Sequence, residues 1–210
     1  MADDVPSLVI IVDDSAALRD SLESLLRSVG QPCVSYASGL AFLEAPVPDA
    51  PACLVLDVRL PEQSGLDLLH GLRRAGVDIP VIVITGHGDI PMSVEAMKAG
   101  AIDFLTKPFR DQDLLDAIRR GVRLSRQRRA EAGQLAVLQG RQATLTPRER
   151  EVMAMVVEGL ANKQIAALLD LKEVTVKVHR AQVMRKLEAK SLPELVRMAD
   201  QLGIPPGRAD

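Results

Sequence analysis

The chain has 210 residues, 47% hydrophobic and 26% charged, enough for one large or two small globular cores. Aromatic residues make up only 2%, with no Trp, which argues against the stacking platforms of single-strand nucleic-acid binders. The two cysteines, Cys33 and Cys53, each lie in a short apolar run, and no Cys/His spacing suits a zinc site, so both read as buried thiols in a reducing cytoplasm.

The acidic start Met-Ala-Asp-Asp-Val lacks the basic and apolar regions of a signal peptide. No apolar run approaches the about 18 residues that span a bilayer, so no membrane role is expected. The net charge of −2 hides an asymmetry. Residues 1–122 hold 10 Lys+Arg against 18 Asp+Glu, 123–143 hold 5 against 1, and 144–210 hold 11 against 9. An anionic partner is therefore expected for the C-terminal part only.

In chain order, residues 8–12 form an apolar, β-branched run ended by Asp13-Asp14. Ala17, Leu18, Leu22, Leu25 and Leu26 then recur at helical spacing up to Gly30. A weaker strand candidate covers 33–36, and a strong one covers 53–56, ended by Asp57. Leu66, Leu68, Leu69 and Leu72 mark a helix ending near Gly76, and 81–84 is a third strong strand, ended by Thr85-Gly86. Val94, Met97 and Lys98 lie in a helix closed by Gly100, and 102–105 is a weaker strand followed by Thr106-Lys107-Pro108.

Runs this uniformly apolar are covered on both faces, and strict strand–helix alternation predicts an α/β fold, a doubly wound (βα)5 parallel sheet. From Asp111 to about Leu138 the pattern is helical and rich in arginine: Arg119, Arg120, Arg123, Arg126, Arg128 and Arg129. Gly121 and Gly133 each weaken a helix by about 1 kcal/mol, so a helical but breakable connector is expected. From Thr144 the pattern is wholly helical. The domains are thus drawn at 1–122, a linker at 123–143, and an all-α domain at 144–210.

Ligands of an open parallel sheet bind at the carboxyl ends of its strands. That edge collects Asp13, Asp14, Asp57, Thr85 and Lys107. Taken singly, these are ordinary turn residues; together they form an acidic pocket. Three close carboxylates repel one another unless a cation intervenes, and a hard, oxygen-liganded Mg²⁺ fits where phosphate is also handled. A carboxylate can attack a phosphoryl group, with an ammonium and a hydroxyl steadying its oxygens.

The C-terminal block carries its own pattern. Thr146 is a good N-cap, Pro147 suits the first helical position, and Glu149 completes a capping box. Val152, Met155, Val156 and Leu160 give the first helix its stripe, ended at Gly159. Asn162-Lys163-Gln164 opens a second helix with Ile165, Ala166, Leu168 and Leu169 inward. A four-residue connection, 170–173, leads to a third helix. Its Val176, Val183 and Leu187 share one face, and Lys177, Val178, Ala181 and Arg185 the opposite one, with Arg180 at the boundary. Ser191 caps a fourth helix.

A short-turned helix pair with a basic outer face is a helix-turn-helix signal, although a solvated face against another protein would share it. In the DNA reading, Lys177 donates to guanine and Val178 meets a thymine methyl. Lys163, His179, Arg180, Arg185 and Lys186 are placed for phosphates.

Asp13-Asp14, Asp57, Thr85 and Lys107-Pro108, each after its strand, resemble the receiver domain of two-component response regulators. The stretches 85–92 and 95–100 look specifically like the FixJ subgroup. Leu145 to Val152, Asn162 to Ala166 and Thr175 to Arg180 resemble the LuxR-type helix-turn-helix, and 189–199 again resembles FixJ. The likeness to the FixJ/NarL family covers nearly the whole chain.

It implies Asp57 as the phosphoacceptor and Mg²⁺ held by Asp14, by Asp13 directly or through water, by Asp57 and by the Arg59 backbone carbonyl. It makes Thr85 and Phe104 the switch pair. It assigns Arg59 and His87 to tuning phosphoryl lifetime, although an exposed loop imidazole would also explain His87. It implies DNA contacts from the set Lys163, Thr175, Lys177, Val178, His179, Arg180, Ala181, Arg185 and Lys186. The implied partners are a sensor histidine kinase, double-stranded promoter DNA, a second copy of the chain after phosphorylation, and RNA polymerase as a further candidate. No enzymatic turnover is expected beyond self-phosphorylation chemistry and slow loss of the group.

One position departs from the family: Lys172 stands where a Ser or Thr usually caps the third helix. Two rivals remain: a phospho-dependent interaction switch with no DNA role, and an Asp-nucleophile phosphohydrolase. The hydrolases' Asp-x-Asp after the first strand is not the adjacent pair found here.

Overall fold

A computed structural model describes residues 6–61, 63–86 and 90–204 of the chain. Two compact units divide at Arg129/Ala130.

In the first unit, five strands alternate with five helices. They are β1 (Leu8–Val12), α1 (Ala16–Ser28), β2 (Cys33–Tyr36), α2 (Gly39–Glu44), β3 (Ala52–Asp57), α3 (Gly65–Arg74), β4 (Val81–Thr85), α4 (Ile90–Lys98), β5 (Asp103–Thr106) and α5 (Asp111–Ala143), whose last residues belong to the second unit. The sheet is wholly parallel, in the order β2-β1-β3-β4-β5.

The pleat sends alternate residues of each strand to opposite faces. Val9, Ile11, Val55, Ile82 and Ile84 meet Leu22 and Leu26 of α1 and Leu114 and Ile118 of α5. Ile10, Val12, Leu54, Leu56 and Val83 meet Phe42 of α2, Leu68, Leu69 and Leu72 of α3 and Ala96 of α4. Two buried layers thus flank one sheet, which is why β1, β3 and β4 are apolar at nearly every position. Side chains of Ser15, Ser38 and Ser64 cap α1, α2 and α3. Gly30 and Gly76 end α1 and α3 at φ +71°, the left-handed region where a Cβ is costly.

The connector is helical: α5 runs through Gly121 and Gly133 as one helix, Asp111–Ala143. Gly121 is there for packing. A Cβ on it would lie 2.4 Å from Cys53 Sγ and 3.1 Å from Ile102 Cδ1, so the missing side chain lets α5 lie close on β3. Three arginines along α5 have acidic partners in the first unit. Arg120 pairs with Asp103, Arg128 with Asp78 and Arg129 with Asp49. The buried Ser125 hydroxyl accepts from Ala52 N–H at 3.1 Å, satisfying the first amide of β3. The helix therefore belongs to the first unit as far as Arg129, beyond the sequence-based boundary at 122.

The second unit contains α6 (Pro147–Val157), α7 (Asn162–Leu168), α8 (Glu173–Leu187) and α9 (Leu192–Gln201). Its core joins Leu138 and Leu145 to Val152, Met153 and Val156 of α6, Ile165 of α7, Val176, Val183 and Leu187 of α8, and Leu195 and Ala199 of α9. The reciprocal Thr146–Glu149 capping box begins α6, and Ser191 Oγ accepts from Glu194 N–H at the start of α9. No described helix is long and apolar enough to cross a membrane.

Candidate functional site

The carboxyl edge of the sheet assembles the expected pocket. Asp13 follows β1, Asp57 ends β3, Thr85 ends β4 and Lys107 follows β5. The strands' hydrogen bonds carry these residues to one level: Lys107 N–H donates to Thr85 O at 2.7 Å, and Val58 N–H to Ile84 O at 3.0 Å. Lys107 Nζ then donates to Asp13 Oδ2 at 2.7 Å and to Asp57 Oδ2 at 2.6 Å. The second oxygens are held by main chain: Asp57 Oδ1 accepts from Arg59 N–H at 3.1 Å, and Asp13 Oδ1 from Ser15 N–H at 2.9 Å.

Asp13, Asp14 and Asp57 each offer a carboxylate oxygen within 4.8 Å of the others. Asp13, Asp57 and Thr85 are buried, Asp14 is exposed and Lys107 is half-buried. The pocket is thus open to solvent on the Asp14 side.

Burial pushes the Asp13 carboxyl above its usual range, against the Lys107 hydrogen bond. Burial pulls Lys107 down, but its hydrogen bonds and charge attraction to Asp13 and Asp57 outweigh that and raise it, so it stays an ammonium. All-oxygen donors of like charge, one of them facing water, fit a hard divalent cation that keeps part of its hydration.

Two neighbours of the pocket escape sequence reasoning. A Cβ on Gly65 would lie 2.1 Å from Asp57 O, so only glycine lets α3 begin directly beneath the Asp57 backbone. Arg19 Nη1 donates to the carbonyls of Asp13 at 2.8 Å and Asp14 at 3.0 Å. Backbone acceptors carry no sequence signature, so nothing in the residue pattern marks either role. Phe104 is half-buried on the α3/α4 side of the sheet, paired in register with Val83. The Arg59 side chain is exposed, and His87 lies outside the described residues.

In the second unit, α7 and α8 are joined by residues 169–172, one position earlier than the sequence suggests. Lys163, Lys177, Val178, Ala181 and Arg185 are exposed, while Thr175, His179 and Arg180 are half-buried. Arg180 donates to Asn162 Oδ1 at 2.6 Å, tying α8 to α7. Lys186, expected at a phosphate, also has partners of its own. Its ammonium lies 2.7 Å from Glu149 Oε2 and 3.0 Å from Thr144 O, so it is engaged inside the unit. Lys172 caps α8 with its backbone only; no side-chain cap bond forms.

An acidic pocket bridged by one lysine ammonium on the edge of a (βα)5 sheet, followed by a helix-turn-helix, defines a response regulator acting on transcription. Family models concur: residues 9–119 match the response regulator receiver domain, and 143–199 match the bacterial regulatory proteins of the luxR family. Nodulation protein W of Bradyrhizobium diazoefficiens is 51% identical over 198 residues, covering 94% of this chain and 87% of that protein. Transcriptional regulatory protein FixJ of Rhizobium meliloti is 48% identical over 192 residues, covering 91% and 94%. The solved structure of response regulator StyR matches with a TM-score of 0.82 at 45% identity, covering 93% of this chain and 99% of that one. The chain belongs to the FixJ/NarL family of response regulators, with a receiver and a LuxR-type DNA-binding domain.

Proposed function

We propose that Asp57 accepts a phosphoryl group from a partner histidine kinase, and that this switches dimerisation and sequence-specific DNA binding. The observation that carries the reading is the Lys107 ammonium bridging Asp57 and Asp13 beside the exposed Asp14. An Asp57 oxygen attacks phosphorus, the P–N bond to the kinase's histidine breaks, and that imidazole takes up a proton. Asp13, Asp14, Asp57 and the Arg59 carbonyl would hold Mg²⁺, which when bound offsets the negative charge gathered by the carboxylates and the phosphoryl oxygens.

Lys107 neutralises one phosphoryl oxygen and Thr85 donates to another, drawing β4 toward the pocket while Phe104 follows inward. By the family resemblance Arg59, and with it His87, would set the lifetime of the group. The receiver, drawn at 1–122 from the sequence and continued by α5 as far as Arg129, passes the change through the rest of that helix to the output domain at 144–210.

Dimerisation then brings two α8 helices to a two-fold operator, which raises affinity by linkage. Lys177 and Val178 meet base edges with Thr175 and Ala181 beside them, and Lys163, His179, Arg180 and Arg185 meet phosphates. Such a regulator works in the cytoplasm on promoter DNA, where RNA polymerase is a further partner.

The test uses the full-length chain with Mg²⁺ and acetyl phosphate. Wild type should gain the mass of one phosphoryl group, dimerise and bind its operator more tightly, whereas Asp57→Asn should do none of these. An Asp57→Asn variant that responds like wild type would remove Asp57 from the account. Loss of DNA retention with the dimer switch intact would favour an interaction switch instead.

A further inference from the structure

The carboxylates of the pocket differ in what aims them. Asp57 and Asp13 each have both oxygens held, one by a main-chain N–H and one by Lys107. Asp14 is exposed, and its carboxylate has no hydrogen-bond partner among the described residues. Its direction is therefore inherited from its backbone.

One side chain fixes that backbone. Arg19 Nη1 spends its two hydrogens on the carbonyls of Asp13 and Asp14, at 2.8 and 3.0 Å. Arg19 is itself anchored on α1, whose start is capped by Ser15, and Arg19 N–H donates to Ser15 O at 3.0 Å. A rigid helix thus grips the loop through one guanidinium.

We propose that Arg19 is a positioning residue for the divalent cation: by holding both carbonyls it presents the otherwise unsupported Asp14 carboxylate to the ion. The inference rests on the reading of this pocket as a Mg²⁺ site. Partners that orient ligands typically change metal affinity by about 10- to 100-fold when removed. Simple electrostatics predicts the opposite sign, because deleting a positive charge near the site should tighten cation binding. The sign of the change therefore separates positioning from charge.

The test is calorimetric titration of the metal-free full-length chain with MgCl₂, for wild type, Arg19→Gln, Arg19→Lys and Asp14→Asn, with thermal unfolding of each in the absence of metal. Arg19→Gln should bind Mg²⁺ about tenfold more weakly. Arg19→Lys keeps the charge and can donate to carbonyls but reaches one bond less, so it should recover part of the loss. Arg19→Gln with unchanged or tighter binding overturns the inference, including where its unfolding temperature falls and Arg19 proves to be structural only. Should wild type bind no Mg²⁺, or Asp14→Asn bind as wild type does, the metal reading itself fails and takes this inference with it.

Discussion

Replacing Lys186 with Met separates two roles that a basic residue on a recognition helix can play. Glu149 is buried, and its Oε2 accepts from Lys186 Nζ at 2.7 Å and from Thr146 N–H at 2.8 Å. Lys186 Nζ also satisfies Thr144 O at 3.0 Å. The methionine keeps the apolar stem but leaves the carboxylate with one donor.

Hydrogen bonds to a charged group are worth about 1.5–3 kcal/mol, and breaking a fully buried pair costs about 3–5 kcal/mol. The Lys186 side chain is 24% exposed, so water can relieve part of the loss and the lower range, about 1.5–3 kcal/mol, applies. Native-state hydrogen exchange at α8 amides in the full-length chain reads this cost separately from the receiver. The log–log salt dependence of operator binding reads the other role. A lost phosphate contact lowers its slope by about one, and Arg185→Ala should do so. Lys186→Met should leave the slope unchanged while α8 opens more readily. A lowered slope with unaltered exchange would show that Lys186 faces DNA and that the Glu149 pair contributes nothing.

The same pair gives a pH dependence. The Lys186 hydrogen bond holds Glu149 below its ordinary 4.5, so its stabilisation is complete above pH 4.5 and is lost as pH falls through the folded value; exchange at α8 should accelerate there in wild type and less in Glu149→Gln. Gly121→Ala gains about 1 kcal/mol of helix propensity but drives a Cβ to 2.4 Å from Cys53 Sγ, and overpacking costs about 1–3 kcal/mol. The receiver should be destabilised in urea, and adding Cys53→Ala should relieve the clash; a stabilised single variant would show that α5 shifts freely on β3. Lys172→Ser supplies the missing side-chain cap of α8 and should slow exchange in its first turn by about 0.5–2 kcal/mol, with no change counting against the capping argument.

β1, β3 and β4 were legible because burial on both faces leaves them almost no polar positions, whereas the half-buried edge strands β2 and β5, with Ser35 and Asp103, read more weakly; the pocket was legible because parallel topology brings strand ends together whatever the helices do. Caps at Thr146 and Ser191 are local, so their residue types sufficed. What stayed hidden depends on partners distant in sequence or on main-chain acceptors. Gly121 reads as a weak point until Cys53 is seen beneath it. The pairing of Lys186 with Glu149, 37 positions away, has no mark in the residues around either one. Arg19 acts on two carbonyls, which every residue possesses.

The extension of α5 along the sheet has a practical corollary for protein engineering. A receiver excised at residue 122 would lose the Ser125 hydroxyl that covers the first amide of β3, and would strip Asp78 and Asp49 of Arg128 and Arg129. Chimeras that graft this sensor module onto foreign outputs should therefore splice after Arg129, where the chain has finished with its own sheet.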